Sequence, residues 1–179
     1  MNWIYWLRRD LRLHDNPALV CASQSDAPVI FVFLWNEVEE GPLAAGGATK
    51  YWLHFALDKF DQSLQNEYGG RIIYRNAASS KKELLSLVQE TGAGCVVVNN
   101  LYEPCLKKRD DAISDSLQSK GIDSIDLTFT DIPGSKWPRR PLKIQITPER
   151  VGIFPWNFRS SSSFIRSMPG VNLIKIGLG

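Results

Sequence analysis

The sequence predicts a Rossmann-like α/β domain, in which a doubly wound five-stranded parallel sheet carries helices on both faces, followed by an irregular C-terminal tail. First, strand-type and helix-type segments alternate along residues 1–131. Second, the strand segments are short apolar runs that suit strands buried on both faces, and the helical segments repeat apolar residues every three or four positions. Third, this pattern stops at residue 132, and five of the ten prolines fall within residues 133–155.

The five strands are predicted from apolar, β-branched or aromatic runs bounded by polar or turn-forming residues. They are residues 3–7, 28–35, 71–74, 95–98 and 125–129. Asn16 and Pro17 indicate the start of the first helix, as an N-cap and a proline at the first helical position. Ser80 and Glu83 have the spacing of a capping box at the start of another helix. That helix is predicted at residues 80–91, and two more at residues 46–68 and 103–120. Gly92, Gly69 and Gly121 are their respective stops.

Alternating strands and helices imply parallel strands joined by right-handed crossovers. In such a sheet the ligand cleft lies at the carboxyl ends of the strands, where the strand order reverses. We expect this reversal beside the first strand. Polar residues that directly follow the first, second and fourth strands are therefore the candidate site residues.

The composition favours a single globular domain and argues against several other classes of protein. The chain has 179 residues, of which 44% are hydrophobic, so it can form one domain with a substantial core. No run approaches the roughly 18 apolar residues of a membrane helix, and no secretory signal is visible. Three cysteines without a C-x-x-C pair suggest buried thiols in an intracellular, reducing compartment. Two distant histidines predict neither a zinc site nor a Ser/His/Asp triad. No phosphate-binding loop or nucleophile elbow is present.

Charge is distributed unevenly along the chain. Residues 1–131 contain 13 Lys and Arg against 18 Asp and Glu, whereas residues 132–179 contain 8 against 1. A basic tail can contact nucleic acid or another acidic surface. The alternative is a solvated, poorly ordered extension, and residues 1–131 form the predicted domain under either interpretation.

The first candidate cluster follows the first strand and contains Trp6, Arg8, Arg9, Asp10 and Arg12. Its charges can form an interlocked network of ion pairs, in which Asp10 and Arg12 take part. One interpretation is that Asp10 neutralises the arginines and holds the loop in place. The other is that an arginine faces a bound anion or a partner domain.

The second cluster follows the fourth strand and contains Asn99, Asn100, Tyr102 and Glu103. These residues could hydrogen-bond to a planar ligand and stack on it, or they could form an ordinary turn before the next helix. Further along, the run at residues 107–111 has the composition of a solvated helix face. Arg109 is the member that we expect to turn inward, onto Asp10 or Glu103, in a structural ion pair.

The third cluster lies around the end of the second strand, at Leu34 and Trp35, and continues through Glu37, Glu39 and Glu40 to Lys50. Glycines between Trp35 and Lys50 predict a flexible loop over the cleft. A lysine at a helix N-terminus opposes the helix dipole, so an anionic ligand would explain it. The alternative is an exposed lysine without a ligand.

Residues 6–19 read WLRRDLRLHDNPAL, and this run closely resembles the opening signature of photolyases and cryptochromes. Residues 29–35, 46–53 and 102–112 agree with the same family in order and spacing. The resemblance covers about residues 2–130 and implies the antenna-type α/β domain of these proteins. In the family, that domain can hold a folate such as methenyltetrahydrofolate, a deazaflavin or an FMN antenna.

The resemblance also implies a second, helical domain that binds FAD and performs the photochemistry, and that domain is not recognisable here. We therefore expect a light-harvesting domain that is not catalytic by itself, related to blue-light photoreception and DNA repair. Alternatives are a module that binds a flavin domain in trans or nucleic acid, and an N-terminal fragment of a deoxyribodipyrimidine photolyase. At Leu101, Cys105 and Leu106 the chain departs from the family's acidic and Asn-Glu pigment-site residues.

Overall fold

The structure is a computed structural model, and it describes residues 1–25, 27–41 and 44–128 together with the backbone of residues 145–146. Strands and helices alternate along these residues. The strands are β1 (Asn2–Leu7), β2 (Pro28–Trp35), β3 (Ile72–Asn76), β4 (Ala93–Asn99), β5 (Asp123–Leu127) and β6 (Gln145–Ile146). The helices are α1 (Pro17–Ser23), α2 (Glu37–Glu40), α3 (Gly47–Tyr68), α4 (Ser80–Thr91) and α5 (Pro104–Gln118).

The sheet has the strand order β3-β2-β1-β4-β5, and neighbouring strands pair in parallel. The order reverses at β1, which lies between β2 and β4, so the predicted fold class and the predicted reversal beside the first strand are both confirmed. The short strand β6 pairs in parallel with the start of β2, at Pro28 and Val29. The carboxyl ends of β1 and β4 consequently meet at one edge of the sheet.

Alternate side chains of β1 point to opposite faces of the sheet, and each face has its own core. Ile4 and Trp6 pack with apolar residues of α4 and α5, whereas Tyr5 and Leu7 pack with α1 and α3. This arrangement follows from the two-residue period of a strand combined with helices on both faces. It explains why β1, β2 and β4 are apolar on both faces.

Most predicted helix boundaries are confirmed, and the glycine stops follow from backbone geometry. Asn16 caps α1, with its side-chain oxygen accepting from the backbone N–H of Leu19, and Pro17 occupies the first turn. Gly69 and Gly92 end α3 and α4 with φ angles of 72° and 63°. These are left-handed conformations that residues with a Cβ rarely adopt.

One local prediction is wrong, and a residue of the segment after β2 explains it. Residues 37–40 form the short helix α2, which precedes the glycines of the predicted loop. The predicted capping box at Ser80 and Glu83 is absent, since Ser79 is the N-cap and its side chain makes no capping bond. Instead, the backbone N–H of Ser80 donates to the Glu39 carboxylate of α2 at 2.9 Å. A carboxylate at this place also interacts favourably with the dipole of α4.

Three further expectations concern thiols, membranes and the tail. Cys95 is buried and Cys21 is half-buried, but Cys105 is exposed, which contradicts the expectation that all three thiols are buried. Within the described residues, no helix is long and apolar enough to span a bilayer. Apart from the backbone of β6, the predicted tail lies outside the described residues, and the domain boundary at residue 131 stays a prediction.

Candidate functional site at the carboxyl ends of β1 and β4

A network of polar side chains fills the crevice between the ends of β1 and β4. The Tyr5 hydroxyl donates to the Asp10 carboxylate, and it accepts from the Asn16 amide at 2.7 Å. The Asn99 amide donates to Asp10 and, at 2.9 Å, to the Asn16 side-chain oxygen. Burial raises the pKa of Tyr5 well above its usual value, and the charge of Asp10 raises it further. Tyr5 is therefore a neutral hydrogen-bond donor in this network, which ties β1, the loop after it, α1 and β4 together.

A buried ion pair lies on the other side of the same loop. Arg8 pairs with Asp110 of α5 and also donates to the backbone carbonyl of Asn99. The side chains of Arg8 and Asp110 are only 5% and 10% exposed. Arg109 donates to the second oxygen of Asp110 at 2.7 and 2.9 Å. Both guanidinium groups lie 5.1 Å from the ring centroid of Trp6, a distance typical of cation–π contacts.

These contacts correct the predicted ion pairs. Within the described residues Asp10 forms no ion pair, because hydrogen-bond donors of the crevice surround its carboxylate. Arg12 is exposed and likewise forms no ion pair with any described residue. Arg109 does form a structural ion pair, but its partner is the adjacent Asp110, whereas we expected Asp10 or Glu103.

The rim of the crevice is accessible to solvent. Arg9 pairs with Glu103 across the ends of β1 and β4, and their side chains are 46% and 32% exposed. The backbone N–H of Glu103 itself, followed by Arg9, holds the pKa of the Glu103 carboxyl below its usual value. Tyr102 is 73% exposed, so its ring is available for stacking. Asn100 is held in place by its backbone N–H, which donates to the carbonyl of Leu127 at 2.7 Å.

The residues predicted around β2 separate into core and surface. Leu34 is buried in the core beneath α4 and α5, so it does not line the rim. The Lys50 ammonium pairs with Glu37 at 2.7 Å and lies 5.8 Å from the centroid of the Trp35 ring. From the sequence, an anionic ligand would explain a lysine at the start of α3. In the structure, the Glu37 carboxylate provides that negative charge.

The structure thus brings the predicted residues together in three groups, Trp6 with Arg8, Arg9 with Glu103, and Trp35 with Lys50. Sequence reasoning missed Tyr5 and Asp110 as members of the crevice and its buried ion pair. One signal could have identified Asp110. It lies at the helical spacing of Leu106, Ile113 and Leu117, which are the inward-facing residues of α5.

A further surface feature is an aromatic patch, which we define as Tyr51, Trp52 and Phe55 in the first half of α3. Their exposed fractions are 51%, 64% and 47%. The rings of Tyr51 and Phe55 meet edge to face, with centroids 4.9 Å apart. Other residues form the buried face of α3, so the three aromatic side chains of the patch are not part of the core. They are exposed apolar surface.

The side chains of the crevice and its rim are of the kind that bind a ligand by charge and stacking. The charged groups of the crevice neutralise one another, and the rim presents a ring and guanidinium groups to solvent. Among the described residues, no group of three or more potential ligands could hold a metal ion. These groups suit the binding of a planar, anionic molecule.

Comparisons with known proteins agree with this fold. The family model of DNA photolyase matches residues 3–128. Cryptochrome-1 of Arabidopsis thaliana is 40% identical over 119 residues, which are 66% of this chain and 17% of that protein. A deoxyribodipyrimidine photo-lyase of Agrobacterium fabrum is also 40% identical over 119 residues, covering 66% of this chain and 24% of the relative. The chain therefore corresponds to less than a quarter of the length of either relative.

Two solved structures extend the comparison. A bacterial class III photolyase from Agrobacterium tumefaciens aligns with a TM-score of 0.64 and 34% identity, over 71% of this chain and 25% of that one. An archaeal photolyase from Sulfolobus tokodaii, solved with two FAD molecules, aligns with a TM-score of 0.61 and 25% identity. That alignment covers 72% of this chain and 29% of the archaeal one.

Proposed function

This chain belongs to the DNA photolyase family, and on that basis we propose that it is an antenna-type domain that holds a light-harvesting pigment and does not repair DNA by itself. The observation that carries the proposal is the solvent-accessible rim at the ends of β1 and β4. There an exposed aromatic ring and arginine side chains lie at the usual ligand edge of a doubly wound sheet. The Sulfolobus tokodaii photolyase, which is described as implying a novel light-harvesting cofactor, supports the same role.

The donor set at the rim fits a conjugated anion better than it fits a metal or a reactive substrate. Tyr102 offers a stacking surface, Arg9 offers a guanidinium that shares its charge with Glu103, and Arg12 has no ion pair among the described residues. A folate carries carboxylates and FMN carries a phosphate, so both match a ring beside guanidinium groups. Inside the crevice, the side chains of Tyr5, Asp10 and Asn16 already bond to one another.

The test is a titration of the purified chain with methenyltetrahydrofolate, a deazaflavin and FMN, followed by absorbance and fluorescence. We expect one of them to bind saturably. Tyr102→Ala and Arg9→Gln should each weaken binding by about tenfold, since each removes one good contact. Lys120→Gln is the matched control, because Lys120 follows α5 at its opposite end, and it should leave binding unchanged. No saturable binding of any of the three pigments would overturn the antenna role.

Absence of catalysis is tested separately. A pyrimidine-dimer substrate, illuminated with this chain and free FAD, should show no light-dependent repair, because the proposed role of the domain is to hold a pigment. Light-dependent repair by the 179-residue chain would contradict the proposal. The pigment titration and the repair assay can fail independently, so they separate binding from chemistry.

A second candidate function is an interaction module that binds a flavin domain in trans, and the aromatic patch favours it. Apolar surface of this kind marks many protein–protein contacts. A helical flavin domain from a class III photolyase should co-purify with the chain, and Trp52→Glu should abolish this. Retention of binding in Trp52→Glu would argue against the patch. Deletion of residues 132–179 tests whether the basic tail adds salt-dependent contacts with nucleic acid.

A third candidate is that the sequence is the N-terminal part of a longer photolyase, and the limited coverage of its relatives favours it. Sequencing of the transcript downstream of residue 131 is the direct test. An in-frame continuation that encodes a helical flavin domain would support the candidate, and its absence would exclude it.

A further inference from the structure

We propose that Glu103 competes with the ligand's own anionic group for Arg9, so that the Arg9–Glu103 ion pair weakens the binding of any anion at the rim. This regulation of the rim rests on the proposed pigment site. It applies to ligands that carry a carboxylate or a phosphate and not to neutral ones. Removal of the Glu103 charge is therefore expected to strengthen binding, although Glu103 lies within the site.

Arg9 is the arginine of this region whose partner can be exchanged. Arg8 and Arg109 both bond to the buried carboxylate of Asp110. The Arg9–Glu103 pair is instead open to solvent on both sides. Water can solvate both charged groups when such a pair separates, so its separation costs little. An incoming anion can therefore reach Arg9 without disturbing the buried ion pair.

Hydrogen bonds fix the backbone on both sides of Arg9. The backbone N–H of Arg8 donates to the Asp10 carboxylate at 3.2 Å, and that of Arg12 donates to the Asp10 carbonyl at 2.8 Å. The Asn16 amide donates to the carbonyl of Arg12 at 2.9 Å. Exchange of the partner of Arg9 thus requires movement of side chains alone, and a loop that is already ordered loses little entropy when a ligand binds.

Glu103 presents to Arg9 the same chemical group that a ligand carboxylate would present. Its backbone is extended before Pro104, with φ −66° and ψ 128°, and its carbonyl accepts from the backbone N–H of Lys107 at 2.9 Å. Its carboxyl group is ionised at neutral pH, because its own backbone N–H and then Arg9 lower its pKa. Two anions beside one guanidinium repel each other, so the ligand anion binds less tightly while Glu103 is charged.

FMN and riboflavin test the competition, because they share one ring system and only FMN carries a phosphate. Glu103→Gln should lower the Kd of FMN by about threefold, as expected for one exposed ion pair, and leave that of riboflavin unchanged. Asp111→Asn is the matched control, since it removes the same charge from α5 about 12 Å further along the helix. At 0.1 M salt, charges are largely screened beyond about 10 Å, so this control should change neither Kd.

A second pair of variants shows whether Glu103 acts through Arg9. In the Arg9→Gln background, Glu103→Gln should give no gain in FMN affinity, because the competed guanidinium is gone. An equal gain with and without Arg9 would overturn the proposal, since it indicates general repulsion of the ligand. The absence of a gain in both backgrounds would also overturn it, because the phosphate would then pair with another cation, such as Arg12.

Inorganic phosphate tests the competition without a pigment. Phosphate is titrated into the ¹⁵N-labelled chain, and the Arg9 side-chain Nε–H signal is followed by NMR. The signal should saturate at about threefold lower phosphate concentration in Glu103→Gln than in the parent chain, with unchanged far-UV circular dichroism. Equal concentrations would overturn the proposal.

The two arms separate the competition from the antenna role. If phosphate shows the expected difference and no pigment binds to any variant, the competition is supported and the antenna role fails. If FMN binds to the parent chain and to Glu103→Gln with the same Kd, the antenna role is supported and the competition fails.

Discussion

The most direct test of the described architecture is the removal of charge from Asp110. Asn replaces Asp with almost no change in shape, so Asp110→Asn deletes the negative charge that lies between Arg8 and Arg109. The two guanidinium groups then remain beside the Trp6 ring without a carboxylate. Because Arg8 is almost fully buried, water cannot replace the lost partner.

The expected magnitude follows from the burial of the pair. Removal of one partner from a buried ion pair costs about 3–5 kcal/mol in the free energy of unfolding. The Asn side chain still offers one oxygen to Arg8, so we expect the lower end, about 3 kcal/mol. For a chain of this length, that cost corresponds to a decrease in Tm of roughly 6–12 °C.

The neighbouring Asp111 provides the matched control. It pairs with Lys107 at 3.3 Å across one turn of α5, but both side chains are more than half exposed. Asp111→Asn should therefore cost about 0.5 kcal/mol or less. Urea denaturation at pH 7 measures both variants, and similar free energies of unfolding for the two would refute our account of the buried pair.

Replacement of both residues of the Arg8–Asp110 ion pair provides a second test. The double variant Arg8→Met/Asp110→Leu removes both charges and keeps similar volume, so it should be more stable than Asp110→Asn alone. The comparison separates the cost of an unpaired buried charge from the net value of the ion pair. A double variant less stable than Asp110→Asn would show that packing or the Asn99 contact dominates instead.

Three further predictions concern the crevice, the start of α4 and alkaline pH. Tyr5→Phe removes a buried donor to the Asp10 carboxylate and should cost about 1–3 kcal/mol in urea denaturation, and a cost near zero would show that the network is not stabilising. Glu39→Gln weakens the charge at the N-terminus of α4 and should cost about 0.5–1 kcal/mol, with faster hydrogen exchange at the Ser80 amide; unchanged exchange would contradict this role. Burial raises the pKa of Cys95 from 9.0 to about 12, so the neutral thiol contributes stability that is fully present below pH 9 and is lost as the pH rises through 12. Cys95→Ala should therefore lose less stability than the parent chain between pH 9 and pH 11, and parallel pH profiles would refute the assignment.

Local sequence patterns determine the elements of this domain and their order. The apolar runs of β1, β2 and β4, the three- and four-residue repeats of α3 and α5, and the glycines at the ends of α3 and α4 are signals within one element each. A strand buried on both faces needs apolar residues on both, and a helix packed on a sheet needs one apolar face. The parallel sheet follows from this alternation, whereas the strand order with its reversal at β1 is a feature of the tertiary structure.

The capping of α4 shows where such local signals fail. Ser80 and Glu83 have the spacing of a capping box, yet the first amide of the helix bonds to Glu39, 41 positions earlier in the chain. A carboxylate brought there by tertiary structure satisfies the same donor that a local cap would satisfy. The spacing of two residues cannot indicate which of these partners is nearer.

The charged residues of the site depend even more on the tertiary structure. The sequence by itself placed Arg8, Arg9 and Asp10 at the ligand edge, because they follow the first strand of a parallel sheet. It could not decide that Arg8 pairs with Asp110, 102 positions away, or that Asp10 bonds to Tyr5 and Asn99 rather than to an arginine. Ion pairs and hydrogen bonds act over a few ångströms, so only the packing of α5 against β1 and β4 selects which of many complementary groups meet.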